Sequence, residues 1–203
     1  MLINNILDAV FSARSNIVIL RAMINRNAGI TGREVSRVSG LSPRACLNTL
    51  TSLENIGIIK RLRGGRDHLF VINRVHYLVS EAIIPLLNAE KVFLDEISKD
   101  IKSKLKNKCN SVYIFGSVAR KDESPGSDFD ICIVMNSSKE RQILEEEIAE
   151  LRSRTFLKYG ITLSPLFITL KEFVNKYNSD KPPVNNIVKE GFLIYGSKIN
   201  KKW

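Results

Sequence analysis

Apolar positions recur at helical spacing from early in the chain. In SNIVILRAMINRN, Ser15 is placed to cap a helix on which Ile17, Leu20, Met23 and Ile24 share a face. ITGREVSRVSG follows, with a Thr31-x-x-Glu34 capping box and Gly40 suited to a left-handed helix end. LSPRACLNTLTSLENIG opens with Ser42 as cap and Pro43 at the first helical position, and Gly57 closes it. Its predicted apolar stripe is Leu47, Leu50 and Leu53. Two short helices around a tight Gly-containing turn make a helix-turn-helix. The pattern then changes to β-prone runs, IIKRL and HLFVI, around Gly64-Gly65, which predicts a hairpin.

From residue 75 to 108 the helical period returns, through Leu78, Ala82, Leu86, Phe93, Ile97, Ile101 and Leu105. Pro85 has no amide hydrogen, so it is expected to begin a second helix or to kink a long one. The stripe predicts core or domain packing, with a homodimer interface as the alternative. Beyond residue 108, Val112 to Phe115 reads as a strand running into Gly116-Ser117, VARK as a helix start, and DFDICIV as a second strand. A helix from about Ser138, a strand in YGITLSPLFITL, a helix in KEFVNKYN, a helix ending at Gly191 and a closing strand complete an α+β pattern.

Charge divides this pattern unevenly. Of the net +10, residues 1–80 supply +7, from eleven Lys and Arg against four Asp and Glu. A basic excess concentrated on a helix-turn-helix favours a polyanionic partner. Three cysteines without metal-ligand spacing suit a reducing compartment, and two histidines make His-based zinc or Ser-His-Asp chemistry unlikely on numbers alone. No apolar run reaches the length of a membrane span, and no signal pattern opens the chain, so a cytoplasmic protein without a membrane partner is expected.

The recognition helix followed by a basic-tipped hairpin resembles the winged-helix family of bacterial and archaeal DNA-binding regulators, over residues 14–74. Arg44 and Asn48 project where recognition helices meet base edges. Lys60, Arg61, Arg63 and Arg66 line the wing, where cations reach phosphates. A winged helix that docks protein, with a merely solvated wing, is the alternative.

The chemistry is concentrated in IFGSVARKDESPGSDFDICIV. Asp128 and Asp130 are two apart on a strand and project from one face. Paired carboxylates of this kind bind one or two Mg²⁺ (or Mn²⁺), which commonly bridge to substrate phosphates. Gly116 permits close backbone approach, and the Ser117 hydroxyl can hold phosphate oxygens. Arg120 and Lys121 follow on the same turn and can offset polyphosphate charge. Together these parts suit phosphoryl or nucleotidyl transfer.

Gly116-Ser117, ten residues, then Asp128-Phe129-Asp130 resembles the G-S-x10-D-x-D signature of the minimal nucleotidyltransferases of the DNA polymerase β-like superfamily, and Ser127 fits the same pattern. The resemblance covers residues 108–170. It implies a small mixed sheet with helices on one face, binding Mg²⁺ and ATP or another nucleoside triphosphate. It further implies transfer of a nucleoside monophosphate to a hydroxyl, and for some members an antitoxin role towards a HEPN-type toxin. The domains expected are a winged helix at 1–74, a helical connector at 75–108 and a transferase domain at 109–203. The family's third carboxylate has no counterpart: Ser164 or Thr162 falls where it belongs, and Glu150 and Glu172 are the nearest acids. That departure keeps two further readings open, a nucleotide-sensing transcription regulator and an antitoxin acting by contact alone.

Overall fold

The computed structural model describes residues 3–64 and 67–199, which form two compact units, 1–92 and 93–203. In the first unit, α1 (Ile6–Phe11) precedes α2 (Arg14–Met23). Helix α1 went unread in the sequence, and Ser15 lies inside α2, whose cap position is the extended Ala13. The buried Asn16 explains the junction: its Nδ2 donates to the carbonyls of Ala9 and Val10 at 3.0 and 3.1 Å, satisfying the end of α1.

β1 (Ile30–Thr31), α3 (Gly32–Ser39) and α4 (Pro43–Asn55) follow. Thr31 Oγ1 accepts from the Glu34 amide at 3.2 Å, but only this half of the capping box forms, because the Glu34 carboxylate faces Arg26. Ser42 caps α4 as expected, accepting from the Ala45 amide at 3.3 Å, and Gly40 is left-handed. The buried positions of α4 are Cys46, Thr49, Leu50 and Leu53, whereas Leu47 is 53% exposed. Its predicted place in the core stripe is therefore corrected: the inward face runs one residue earlier, through Cys46. β2 (Ile59–Gly64) and β3 (Asp67–Ile72) form the antiparallel wing, and β1 joins β3 on its other side through Ile30 and Phe70.

A helix that starts at residue 77 passes through a π-helical turn, Val79–Ile83, and continues unbroken as α5 (Ile84–Leu105), so Pro85 lies inside the helical run, just after the π turn. The buried residues here are Val79, Ile83 and Leu87, while Leu86 is 54% exposed. The wider π turn resets the helical phase that a uniform period places on Leu78, Ala82 and Leu86. The boundary between the two units falls within α5.

The second unit is a four-stranded mixed sheet built from β4 (Ser111–Ile114), β5 (Phe129–Met135), β6 (Leu163–Thr169) and β7 (Phe192–Gly196), in the order β6-β5-β4-β7. The short α6 (Gly116–Arg120) joins β4 to the loop before β5. β5 and β6 run parallel, so α7 (Arg141–Tyr159) must cross over between them. α8 (Leu170–Asn178) and α9 (Val184–Glu190) precede β7. The resemblance implied helices on one face, but both faces are covered. α5 and α7 pack Ile97, Ile101, Leu144 and Ile148 against Val112, Phe129, Ile131 and Ile133, while α8 and α9 pack Phe173, Val184 and Ile187 against Tyr113, Cys132 and Val134. Both sets of strand neighbours are apolar, as burial on two sides requires.

The three free cysteines are buried, and burial pushes the thiols of Cys109 and Cys132 up to about 12. Only the thiolate reacts, and at pH 8 about one such thiol in ten thousand is ionised. Intact-mass measurement after iodoacetamide treatment at pH 8 should find both unmodified in the native protein and both alkylated in denaturant. Rapid modification of native Cys132 would mean that the sheet is not packed on its α8 and α9 side.

Candidate active site and nucleic-acid interface

β4 is buried along its whole length and delivers the chain to one end of the sheet. The Phe115 amide donates to the Asp130 carbonyl at 3.1 Å, which extends the β4–β5 ladder by one rung and sets Gly116 beside Asp130. Gly116 is left-handed, with φ +74°, and a methyl group added there would collide with Asp130 Oδ2 and stand 3.1 Å from its Cγ. The carboxylate therefore lies against a bare backbone that only glycine provides. Asp130 is half-buried and Asp128 exposed, and neither carboxylate has a hydrogen bond or ion pair among the described residues. The Ser117 hydroxyl is likewise unengaged among them.

The structure thus brings Gly116, Ser117, Asp128 and Asp130 to one end of the sheet. The other expected phosphate ligands are placed differently. Arg120 faces Asp122 at 3.0 Å and Glu190 at 3.3 Å, and these partners hold its guanidinium pKa above the usual range. Ser127 Oγ accepts from the Ser124 amide at 3.0 Å and so closes the loop. Lys121 is exposed and lines a cavity of about 480 Å³ together with Val118, Ser127, Phe129 and Phe192.

In β6, Ser164 stands in register with Asp130 on the adjacent parallel strand, and the Thr162 carbonyl accepts from the Phe129 amide at 2.8 Å. Ser164 is therefore the residue beside the aspartate pair. Neither nearby acid substitutes for it. Glu150 pairs with Lys104 at 2.5 Å. Glu172 caps α8 by accepting from the Thr169 amide and hydroxyl, which also holds its pKa below the usual range. Thr169 is five residues further along β6, about 16 Å away.

No group of three or more His, Cys, Asp or Glu is placed to hold a metal among the described residues. Two carboxylates and the cradle at Gly116 fit an ion that keeps several waters and completes its shell with substrate phosphates, as Mg²⁺ does.

In the first unit, Arg44 and Asn48 are exposed on α4, and Lys60 and Arg63 on β2. Arg61 is exposed too but paired: it meets Glu54 at 2.6 Å and lies over the Phe70 ring, 5.2 Å from its centroid. Arg66 lies outside the described residues. Leu47, which the sequence places in the core stripe, is exposed on the side of α4 that carries Arg44 and Asn48. Hydropathy alone assigned it to the core.

Residues 94–194 match the family model for a nucleotidyltransferase domain, and residues 16–60 match that for winged helix-turn-helix DNA-binding. Two provisionally named protein adenylyltransferases of Methanocaldococcus jannaschii are similar to this chain. One is 41% identical over 75 residues, covering 36% of this chain and 73% of that one. The other is 28% identical over 109 residues, covering 54% of this chain and all of that one. A solved toxin–antitoxin structure with AMP-PNP overlaps half of this chain and 74% of that one at 17% identity and a TM-score of 0.32, too loosely to bear on function. The match at 41% identity over 73% of the relative, together with the two family models, shows the family: the chain belongs to the minimal nucleotidyltransferases of the DNA polymerase β-like superfamily and carries a winged helix-turn-helix on the same polypeptide.

Proposed function

We propose that this protein is a Mg²⁺-dependent (or Mn²⁺-dependent) nucleotidyltransferase that moves an adenylyl group from ATP to a protein hydroxyl, and that its winged helix carries it to DNA in the cytoplasm. The observation that supports it most is the Asp130 carboxylate seated against the bare Gly116 backbone, which puts a phosphate-binding turn and a metal-binding acid side by side. The names of the two relatives, both protein adenylyltransferases, support ATP as the nucleotide and a protein as the acceptor in this reading. A HEPN-type toxin is the acceptor class that the family resemblance implies.

In this reading Asp128 and Asp130 would hold the metal, which when bound offsets the charge of the triphosphate and of the leaving pyrophosphate. The Gly116-Ser117 turn holds phosphate oxygens through its backbone and hydroxyl, and Lys121 adds positive charge. Arg120 reaches the triphosphate by exchanging Asp122 and Glu190 for phosphate oxygens. Ser127 keeps the loop in shape. The acceptor oxygen bonds to the α-phosphorus, the bond to pyrophosphate breaks, and the acceptor proton passes to solvent. Positioning and charge do most of this work.

Ser164 supports a second reading, a regulator that binds nucleotide without turning it over. Incubating the protein and co-purified cellular proteins with Mg²⁺ and α-labelled ATP separates the two. Label on a protein, absent with Asp128→Asn/Asp130→Asn, is the expected result. Nucleotide binding without label would move the reading to the regulator.

A further inference from the structure

Residues 44, 47, 48 and 51 share one face of α4, and the first three are exposed. Leu47 is 53% exposed at one edge of that face, one turn beyond Arg44, with Asn48 at the opposite edge. The Ser42 cap places all three in the first two turns, the part of a recognition helix that enters the major groove. The face carries no acid: the one carboxylate in α4, Glu54, is turned to Arg61. Beside Leu47 is a hollow of about 350 Å³ whose walls include Arg33, Arg61 and His68, with Asp67 its one acid. A DNA strand running past Leu47 would meet the Arg33 guanidinium there.

We propose that Leu47 is a base-reading residue that makes an apolar contact with the C5-methyl group of a thymine in the major groove. The proposal rests on the DNA-binding reading of the winged helix. A leucine side chain has no hydrogen bond to offer, and the only apolar group on a major-groove base edge is the thymine methyl. A cytosine amino group or guanine carbonyl in the same place would lose water and gain no partner. Leu47 thereby prefers thymine, while Arg44 and Asn48 read donors and acceptors on neighbouring pairs.

The test starts from a random duplex pool selected for binding to the full chain. Each dT of the selected site is then replaced by dU, which deletes only the methyl group. For the wild type, one position per bound half-site should lower affinity about fourfold, the effect of burying one carbon. Leu47→Ala should lose the penalty at that position alone, and keep the wild-type slope of log affinity against log salt, since no phosphate contact changes. Leu47 is outside the core, so the variant should keep the wild-type melting temperature. A wild type indifferent to dU at every position overturns the proposal, as does a Leu47→Ala variant that keeps the full penalty. If no duplex is enriched, the DNA-binding reading itself falls, and this inference with it.

Discussion

Gly116→Ala should reduce label transfer to the level of the double aspartate variant, a loss of at least about a hundredfold. Two effects coincide there. An L side chain at φ +74° costs on the order of 1–2 kcal/mol, and its methyl would displace the Asp130 carboxylate from the turn that positions it. Gly126 provides the control. It is also left-handed, at φ +89°, but a methyl added to it meets nothing within 4 Å. Gly126→Ala therefore carries the backbone strain without the collision, and should lose melting temperature while keeping most of its transfer rate. Single-turnover rates and thermal melts of the two variants decide the matter. Equal rates would show that the contact between Gly116 and Asp130 does not organise the site.

Ser164→Asp should raise the transfer rate, by about 10–100-fold, and make thermal stability depend on Mg²⁺. The register sets residue 164 directly beside Asp130, with strands about 5 Å apart. A third carboxylate placed there could accept the proton of the attacking hydroxyl, a role generally worth two to four orders of magnitude. In chelator the three negative charges repel one another, so the variant should melt several degrees below wild type, and millimolar Mg²⁺ should restore the loss. A melting temperature indifferent to Mg²⁺ would mean that residue 164 does not face the aspartate pair. A restored metal response without faster transfer would locate the deficiency elsewhere, in the acceptor or its docking.

The elements were largely legible in the sequence because they rest on local signals: the Ser42-Pro43 start, the left-handed Gly40, and the apolar runs of β4 and β5. The errors arose where two helical phases fit the same stretch. Cys46 and Leu47 both lie one turn before Leu50, and hydropathy favours the leucine, but packing chose the cysteine. The π turn at Val79–Ile83 shifted the connector stripe in a way no fixed period anticipates. Helices on both faces of the sheet were readable in principle, since β5 is buried without alternation except at Asp130. In the site, spacing identified Gly116, Ser117, Asp128 and Asp130. It could not show that Arg120 would be held by Glu190, seventy residues away, or that Ser127 would spend its hydroxyl on Ser124. The first partner depends on the tertiary fold, the second on a local turn in which the Ser127 amide donates to the Ser124 carbonyl.

The contact of Arg61 with Glu54 and Phe70 has a consequence for how DNA would be read. Glu54 sits in the last turn of the recognition helix, Arg61 on one wing strand and Phe70 on the other. Helix and wing are thereby clamped like the jaws of a gauge set to one opening. A duplex seated on both would have to match that opening, so a stiff sequence of the wrong groove width would be disfavoured by the cost of bending it.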